Sequence, residues 1–218
     1  MRLLKVKMLA TKLILIEGLG GSGKTSTVSY LNDFLCRRNF DVTAIYERSN
    51  RRPKCKFPAF AENYVGEMLA EWRLFLDERE RVNNLCVMEG HGWQPMAEFM
   101  YLAGHSRQSV LDFCGKIESI ISPLNPAVIY YAVDNIAEHL ERIAQMRGRD
   151  WIRLMEQRDV EHHGLDAFGG SLLQFWDEWN VLQNEIFSHC RFPKLRVENP
   201  HNDWGATYRE IASFLQIS

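Results

Sequence analysis

Apolar and polar positions alternate along this chain in blocks of two kinds. Leu13-Ile14-Leu15-Ile16 is a continuous apolar run followed directly by glycines, the pattern of a strand buried on both faces. From Lys24 to about Arg38, Val28, Leu31 and Leu35 share one helical face. Val42 to Tyr46 is β-branched and aromatic enough for a second strand. A long helical region is predicted from Pro58 to about Glu80, with Phe60, Tyr64, Met68 and Phe75 near helical spacing. Leu85 to Met88 is a third strand that ends in a carboxylate and a glycine, and Val128 to Val133 is a fourth. Asp134 is placed to cap a helix carrying Ile136, Leu140 and Ile143. Ser171 to about Ser188 is another amphipathic helix, and Lys194 to Val197 a brief fifth strand. Asp203 can cap a last helix with Trp204, Tyr208, Ile211 and Leu215 on one stripe. Strands alternating with helices predict parallel strands joined by crossovers, so the class is α/β, with one domain over residues 1–218.

The composition, 46% hydrophobic and 25% charged, suits a globular chain of this length. A formal net charge of −2 excludes a general polyanion binder, so no nucleic-acid partner is expected. No apolar run approaches the roughly 18 to 20 residues of a membrane span. Lys5 and Lys7 interrupt the only stretch resembling a signal peptide, Met1 to Ala10, so a cytoplasmic chain without a membrane partner is expected. The cysteines at 36, 55, 86, 114 and 190 are odd in number, with neither a Cys-x-x-Cys pair nor zinc spacing. They read as reduced and structural.

One motif changes the picture. Gly18-Leu19-Gly20-Gly21-Ser22-Gly23-Lys24-Thr25 matches G-x-x-x-x-G-K-[ST] completely, directly after a strand and opening a helix. Glycines let backbone N–H groups converge on phosphate oxygens where a Cβ would obstruct them. The helix points its partly positive N-terminus at the same anion. Lys24 would reach the β- and γ-phosphates, and the Thr25 hydroxyl would take a place on Mg²⁺. Chance alone puts such a match in a chain of this length with a probability of about 0.01.

In an open parallel sheet, ligands gather at the carboxyl ends of strands. Glu17, Glu47 and Glu89 meet that rule. Glu89 is the natural partner for Mg²⁺, directly or through water; its alternative role is to cap the following turn. Glu47 would deprotonate or orient a phosphoryl acceptor, or else be a solvated loop charge. Glu17 serves the loop structurally.

Five arginines, Arg142, Arg147, Arg149, Arg153 and Arg158, fall in a stretch following the fourth strand and its helix. Guanidinium groups there would form a mobile lid, spanning about residues 142–165, over a transferring phosphoryl group. The alternative is a solvated helix surface with pairs such as Glu138–Arg142. Arg147 and Arg149 are the leading lid residues. A second basic patch, Arg48, Arg51, Arg52, Lys54 and Lys56, would grip an acceptor's phosphate or form a solvated loop.

With these pieces in order, the chain resembles the P-loop nucleoside and nucleotide monophosphate kinases, and within them the thymidylate kinase-like group. Leu13 to Leu19 with the loop is similar to that group's first strand. Pro126 to Val133 and Asp134 to Arg149 resemble its fourth strand, helix and arginine-bearing lid; Lys194 to Pro200 and the final helix resemble its closing βα unit. The resemblance implies a three-layer fold with five parallel strands, ATP·Mg²⁺ as donor, a nucleoside or nucleoside monophosphate acceptor, Arg142 among the donor contacts and a homodimer. Glu47 matches the place where deoxynucleoside kinases keep a catalytic glutamate. Glu89-Gly90-His91 keeps the group's carboxylate and lacks the arginine that follows it, which removes a usual substrate contact. A non-nucleotide hydroxyl acceptor and a nucleotide-dependent switch are the rival readings.

Weaker signals point elsewhere. His162-His163 reads as a lid or surface loop rather than a metal site. His91 would enter the cleft or serve structurally. Trp176, Trp179 and Phe175 read as core, while Trp93 and Phe60 are candidates for an acceptor wall.

Overall fold

The blocks of apolar residues become a sheet because each strand can bury both of its faces. The computed structural model describes residues 11–47, 49, 51–54, 62–90, 95–198, 201 and 203–217. In chain order the elements are β1 (Leu13–Gly18), α1 (Lys24–Cys36), β2 (Val42–Ile45), α2 (Tyr64–Val82) and β3 (Leu85–Glu89). Then come α3 (Met96–Leu102), α4 (Arg107–Ile121), β4 (Ala127–Ala132) and α5 (Ile136–Arg147). The last four are α6 (Arg149–His163), α7 (Leu172–His189), β5 (Lys194–Glu198) and α8 (Trp204–Phe214). Strand order is β2-β3-β1-β4-β5, and every pairing is parallel.

Successive strand residues face opposite sides, and each side has its own core. Leu13, Leu15, Met88 and Tyr130 pack with Trp72 of α2, Phe113 of α4 and Trp179 of α7. Ile14, Ile16, Val87 and Ile129 pack with Val28, Leu31 and Leu35 of α1 and Ile211 of α8. The result is the expected three layers. Truncating Ile14 or Ile16, both fully buried, would cost about 2–5 kcal/mol each.

Central β1 pairs with β3 on one side and β4 on the other, so the chain leaves it in both directions. That divergence opens a crevice at its carboxyl end, where the phosphate-type loop begins. Register sets Glu89 beside Ile16 and Tyr130 beside Glu17, and the Gly90 N–H donates to the Ile16 carbonyl at 2.8 Å.

Several boundaries differ from the sequence expectation. The helix expected from Pro58 starts at Tyr64 and runs to Val82; residues 55–61 lie outside the described set. Asn135, not Asp134, caps α5, its side chain accepting the Glu138 N–H at 3.1 Å. Asn135 is the residue immediately before the first helical turn, and Asp134 lies one residue too early to reach that donor. Asp203 caps α8 as expected, accepting the Ala206 N–H at 2.9 Å. The arginine stretch, expected as a lid or a helix surface, forms the end of α5 and the helix α6, split at Gly148, whose φ of +86° ends α5. Helices α3 and α4 fill the stretch between the third and fourth strands, to which the sequence reading assigned no element.

Candidate active site

The loop after β1 curls over the N-terminus of α1. Gly23 sits at the helix cap with φ +103°, and a Cβ there would collide with the Trp204 ring. Gly21, at φ +77°, would put a Cβ 2.7 Å from Ile143. Both positions therefore need glycine twice over, for backbone conformation and for space. Trp176 lies over Gly20, 3.3 Å from where a Cβ would stand. Below the loop, Thr27 and Tyr131 share a buried hydroxyl–hydroxyl hydrogen bond of 2.5 Å, which ties α1 to β4.

Lys24 is buried, and its Nζ donates to the carbonyls of Gly18 and Leu19 at 2.7 and 2.8 Å. Burial pulls its pKa below the ordinary lysine value, while Glu47, Glu17, Glu89 and Glu98 pull it back up. An ammonium beside a glycine-rich loop at a helix N-terminus, with Arg52 and Arg147 in the same cleft lining, is suited to a ligand carrying several negative oxygens despite the carboxylates around it.

Glu89 is 3% exposed. Its Oε1 accepts the backbone N–H of Glu47 at 2.8 Å, and its Oε2 has no hydrogen-bond partner among the described residues. Thr25 lies at the loop's end in the cleft lining. A buried carboxylate oxygen left over and a hydroxyl beside a phosphate cradle are hard oxygen donors, and they fit Mg²⁺.

The cleft over the loop encloses about 830 Å³. Glu47, Arg52 and Glu98 line one part of it, and Phe99, Trp151, Met155 and Trp176 form an apolar wall. Arg147 reaches this lining from the end of α5, its guanidinium 4.9 Å from the centre of the Trp151 ring. Arg149 does not join it. Its guanidinium is taken by Glu141, at 2.7 Å, and 70% of the side chain is exposed. Arg153 is paired with Asp150 on the outer surface at 3.5 Å. The turn at Gly148 is the physical reason, since it sends α6 off in a new direction. Of the second basic patch, Arg52 faces the cleft and Arg51 and Lys54 are exposed. Arg48, Lys56, Phe60, His91 and Trp93, together with the side chains of Arg158, His162 and His163, lie outside the described residues.

A smaller cleft of about 220 Å³ lies on the other flank of the loop, lined by Ser22, Asp134, Asn135, Glu138, His139, Arg142 and His201. From His201, which lines both clefts, an aromatic row runs through α8 to α1. His201 meets Trp204 edge-on at 5.3 Å, Trp204 meets Tyr208 at 5.6 Å, and Tyr208 stacks flat on Tyr30 at 3.9 Å.

His139 and Phe99 were not singled out from the sequence, and Trp204 was read only as part of the last helix's apolar stripe. His139 had a usable signal, because it stands three residues before Arg142 on the same helical face. Trp204 had none, since nothing local connects it to Gly23. Trp176, read as core, is indeed 5% exposed, yet its edge also lines the cleft.

Comparison with known proteins gives the fold its place. No protein-family model matches the sequence, and no curated protein does either. Among solved structures the chain is similar to thymidylate kinase from Ehrlichia chaffeensis, with a TM-score of 0.55 at 14% identity over 94% of this chain and 98% of that one. It is also similar to deoxyadenosine kinase from M. mycoides, solved with bound dATP, with a TM-score of 0.50 at 15% identity over 94% and 99%. The architecture is thus that of the P-loop kinases: five parallel strands between helical layers, with the loop at the end of β1. Among the described residues, no helix is long and apolar enough to cross a membrane.

Proposed function

We propose that this chain is an ATP-dependent phosphotransferase that moves the γ-phosphoryl group to a nucleoside or nucleoside monophosphate in the cytoplasm. The observation that carries the reading is the placement of Lys24, under the loop cradle, inside one cleft that also holds Glu47 and Arg147. A kinase with this fold needs a donor grip, an acceptor base and a cation over the transferring group, and these side chains are of the right kinds.

Loop amides from Gly18 to Thr25 hold the donor's phosphates, and Lys24 exchanges its two loop carbonyls for phosphate oxygens. Thr25 and Glu89 would hold Mg²⁺, which, when bound, neutralises charge on the β- and γ-phosphates. Glu47 orients the acceptor hydroxyl and takes its proton. The acceptor oxygen bonds to the γ-phosphorus as the bond from that phosphorus to the bridging oxygen breaks, and ADP leaves. Arg147 faces the peripheral oxygens, where one arginine supplies on the order of 10³ to 10⁵ in rate. Arg142 stands at the smaller cleft, on the donor's side. The wall of Phe99, Trp151 and Trp176 suits a planar base, and the carboxylates of Glu47 and Glu98 suit its hydroxyl-bearing sugar.

The test is ADP release across a panel of nucleosides and monophosphates, with Lys24→Ala alongside. Turnover stimulated by one of these acceptors and abolished in the folded variant is expected. Full activity in Lys24→Ala would overturn the assignment, as would stimulation only by acceptors lacking a base.

A further inference from the structure

His139 is 1% exposed, yet both of its ring nitrogens are engaged. Nε2 lies 2.7 Å from the carbonyl oxygen of Gly20, and Nδ1 lies 2.5 Å from Nη2 of Arg142. A carbonyl oxygen can only accept and a guanidinium can only donate. The ring is therefore the neutral tautomer with its proton on Nε2, giving to the loop and receiving from Arg142. Burial favours that state and draws the imidazole pKa down to about 4, with Arg142, His201 and Lys24 acting in the same direction.

Each contact has a consequence for a different part of a ligand. In a trans peptide the C=O of one residue and the N–H of the next point in opposite directions. Tying the Gly20 carbonyl to α5 thus turns the Gly21 N–H away from α5 and fixes one donor of the cradle. On the other side, a long arginine is held by its tip at the rim of the 220 Å³ cleft, which His139 and Arg142 both line. An arginine so held loses rotamer freedom in advance, and a guanidinium has a flat face on which a base can stack.

We infer that His139 is a positioning residue with two separable jobs: Nε2 sets the phosphate loop's Gly20–Gly21 peptide, and Nδ1 sets Arg142 for a donor base in the smaller cleft. The inference rests on the proposed use of a nucleotide donor. It couples loop and lid helix through one ring, so neither can shift without releasing a buried hydrogen bond.

Magnesium ATP and magnesium tripolyphosphate, which lacks the base, distinguish the two jobs by calorimetric titration. In His139→Gln the amide nitrogen stands in for Nε2–H and no acceptor remains at Nδ1. In His139→Asn the amide oxygen stands in for Nδ1 and the loop loses its donor. The Gln variant should bind tripolyphosphate as the unaltered protein does, and ATP about tenfold more weakly. The Asn variant should lose about tenfold for both, because the phosphates are common to them. Equal losses for both ligands in both variants, tracking a lowered Tm, would reduce His139 to a packing residue and overturn the inference. So would unchanged affinities in both. If the unaltered protein binds neither ligand, the nucleotide reading itself fails; if it binds both and the variants do not diverge, only the role of His139 does.

Discussion

The backbone N–H of Glu47 donates to Oε1 of Glu89 across 2.8 Å, so the end of β2 is fastened to the end of β3 through one carboxylate. Its second oxygen, buried and without a hydrogen-bond partner among the described residues, is the one proposed to take a cation. The two glutamates therefore separate in their effects. Glu89→Gln should raise the Mg²⁺ concentration needed for half-maximal rate by about tenfold or more, since a neutral amide is a poorer ligand for a hard cation. Glu47→Gln should leave that requirement alone and lower kcat by roughly 10²-fold or more, the ordinary worth of a positioned general base. Magnesium titrations of initial rate for both variants decide the matter.

Arg147 and Arg149 are close in sequence and unlike in setting. Arg147 lines the cleft, while Arg149 is occupied by Glu141 at the surface. Arg147→Ala should cost at least about 10²-fold in kcat, as expected of a cation over a transferring phosphoryl group. Arg149→Ala removes an exposed ion pair worth about 0.2–1 kcal/mol and should change kcat little. Similar large losses in both would show that α6 swings inward during turnover.

Acid should loosen the protein through His139. Its folded-state pKa of about 4 lies below the ordinary histidine value, so between pH 6.5 and 4 the unfolded chain takes up a proton that the folded one refuses. Stability associated with the neutral ring is complete above pH 6.5 and falls as pH drops toward 4, by up to roughly 3 kcal/mol. His201, depressed by burial and by Arg142, acts in the same direction. Denaturant titrations from pH 7 to pH 4 should show a shallower decline in His139→Gln than in the unaltered protein.

Gly23→Ala tests the crowding at the helix cap. The new methyl meets the Trp204 ring, and φ of +103° is unfavourable for any residue with a Cβ. A loss exceeding about 1 kcal/mol in chemical denaturation is expected. Adding Trp204→Ala should relieve the collision and leave the backbone strain, so the double variant should be more stable than the sum of the two single losses implies.

Most of the architecture was legible because its signals are local. Continuous apolar runs marked strands buried on both faces, and the glycine-rich octapeptide marked both its own loop and the helix after it. Helix α4 has a local signal as well, since Val110, Phe113, Cys114, Ile117 and Ile121 keep helical spacing behind a Ser106 cap. The cap of α5 failed for a different reason: Asp134 and Asn135 are adjacent capping types, and one residue of backbone path decides between them. For the site, strand-end carboxylates could be placed by rule. The partners of the arginines could not, because Gly148 redirects the chain and hands Arg149 to Glu141. Likewise, Ile143, Trp176 and Trp204 reach the loop glycines only through tertiary packing.

The row of rings from His201 through Trp204 and Tyr208 to Tyr30 joins the last helix to the first. The octapeptide is translated well before the indole that fits over Gly23. The polyphosphate grip proposed for the loop would therefore be completed only once α8 has been made, although shorter nascent fragments already carry the full motif. A lesion in the closing helix should silence the loop without altering a single one of its own residues.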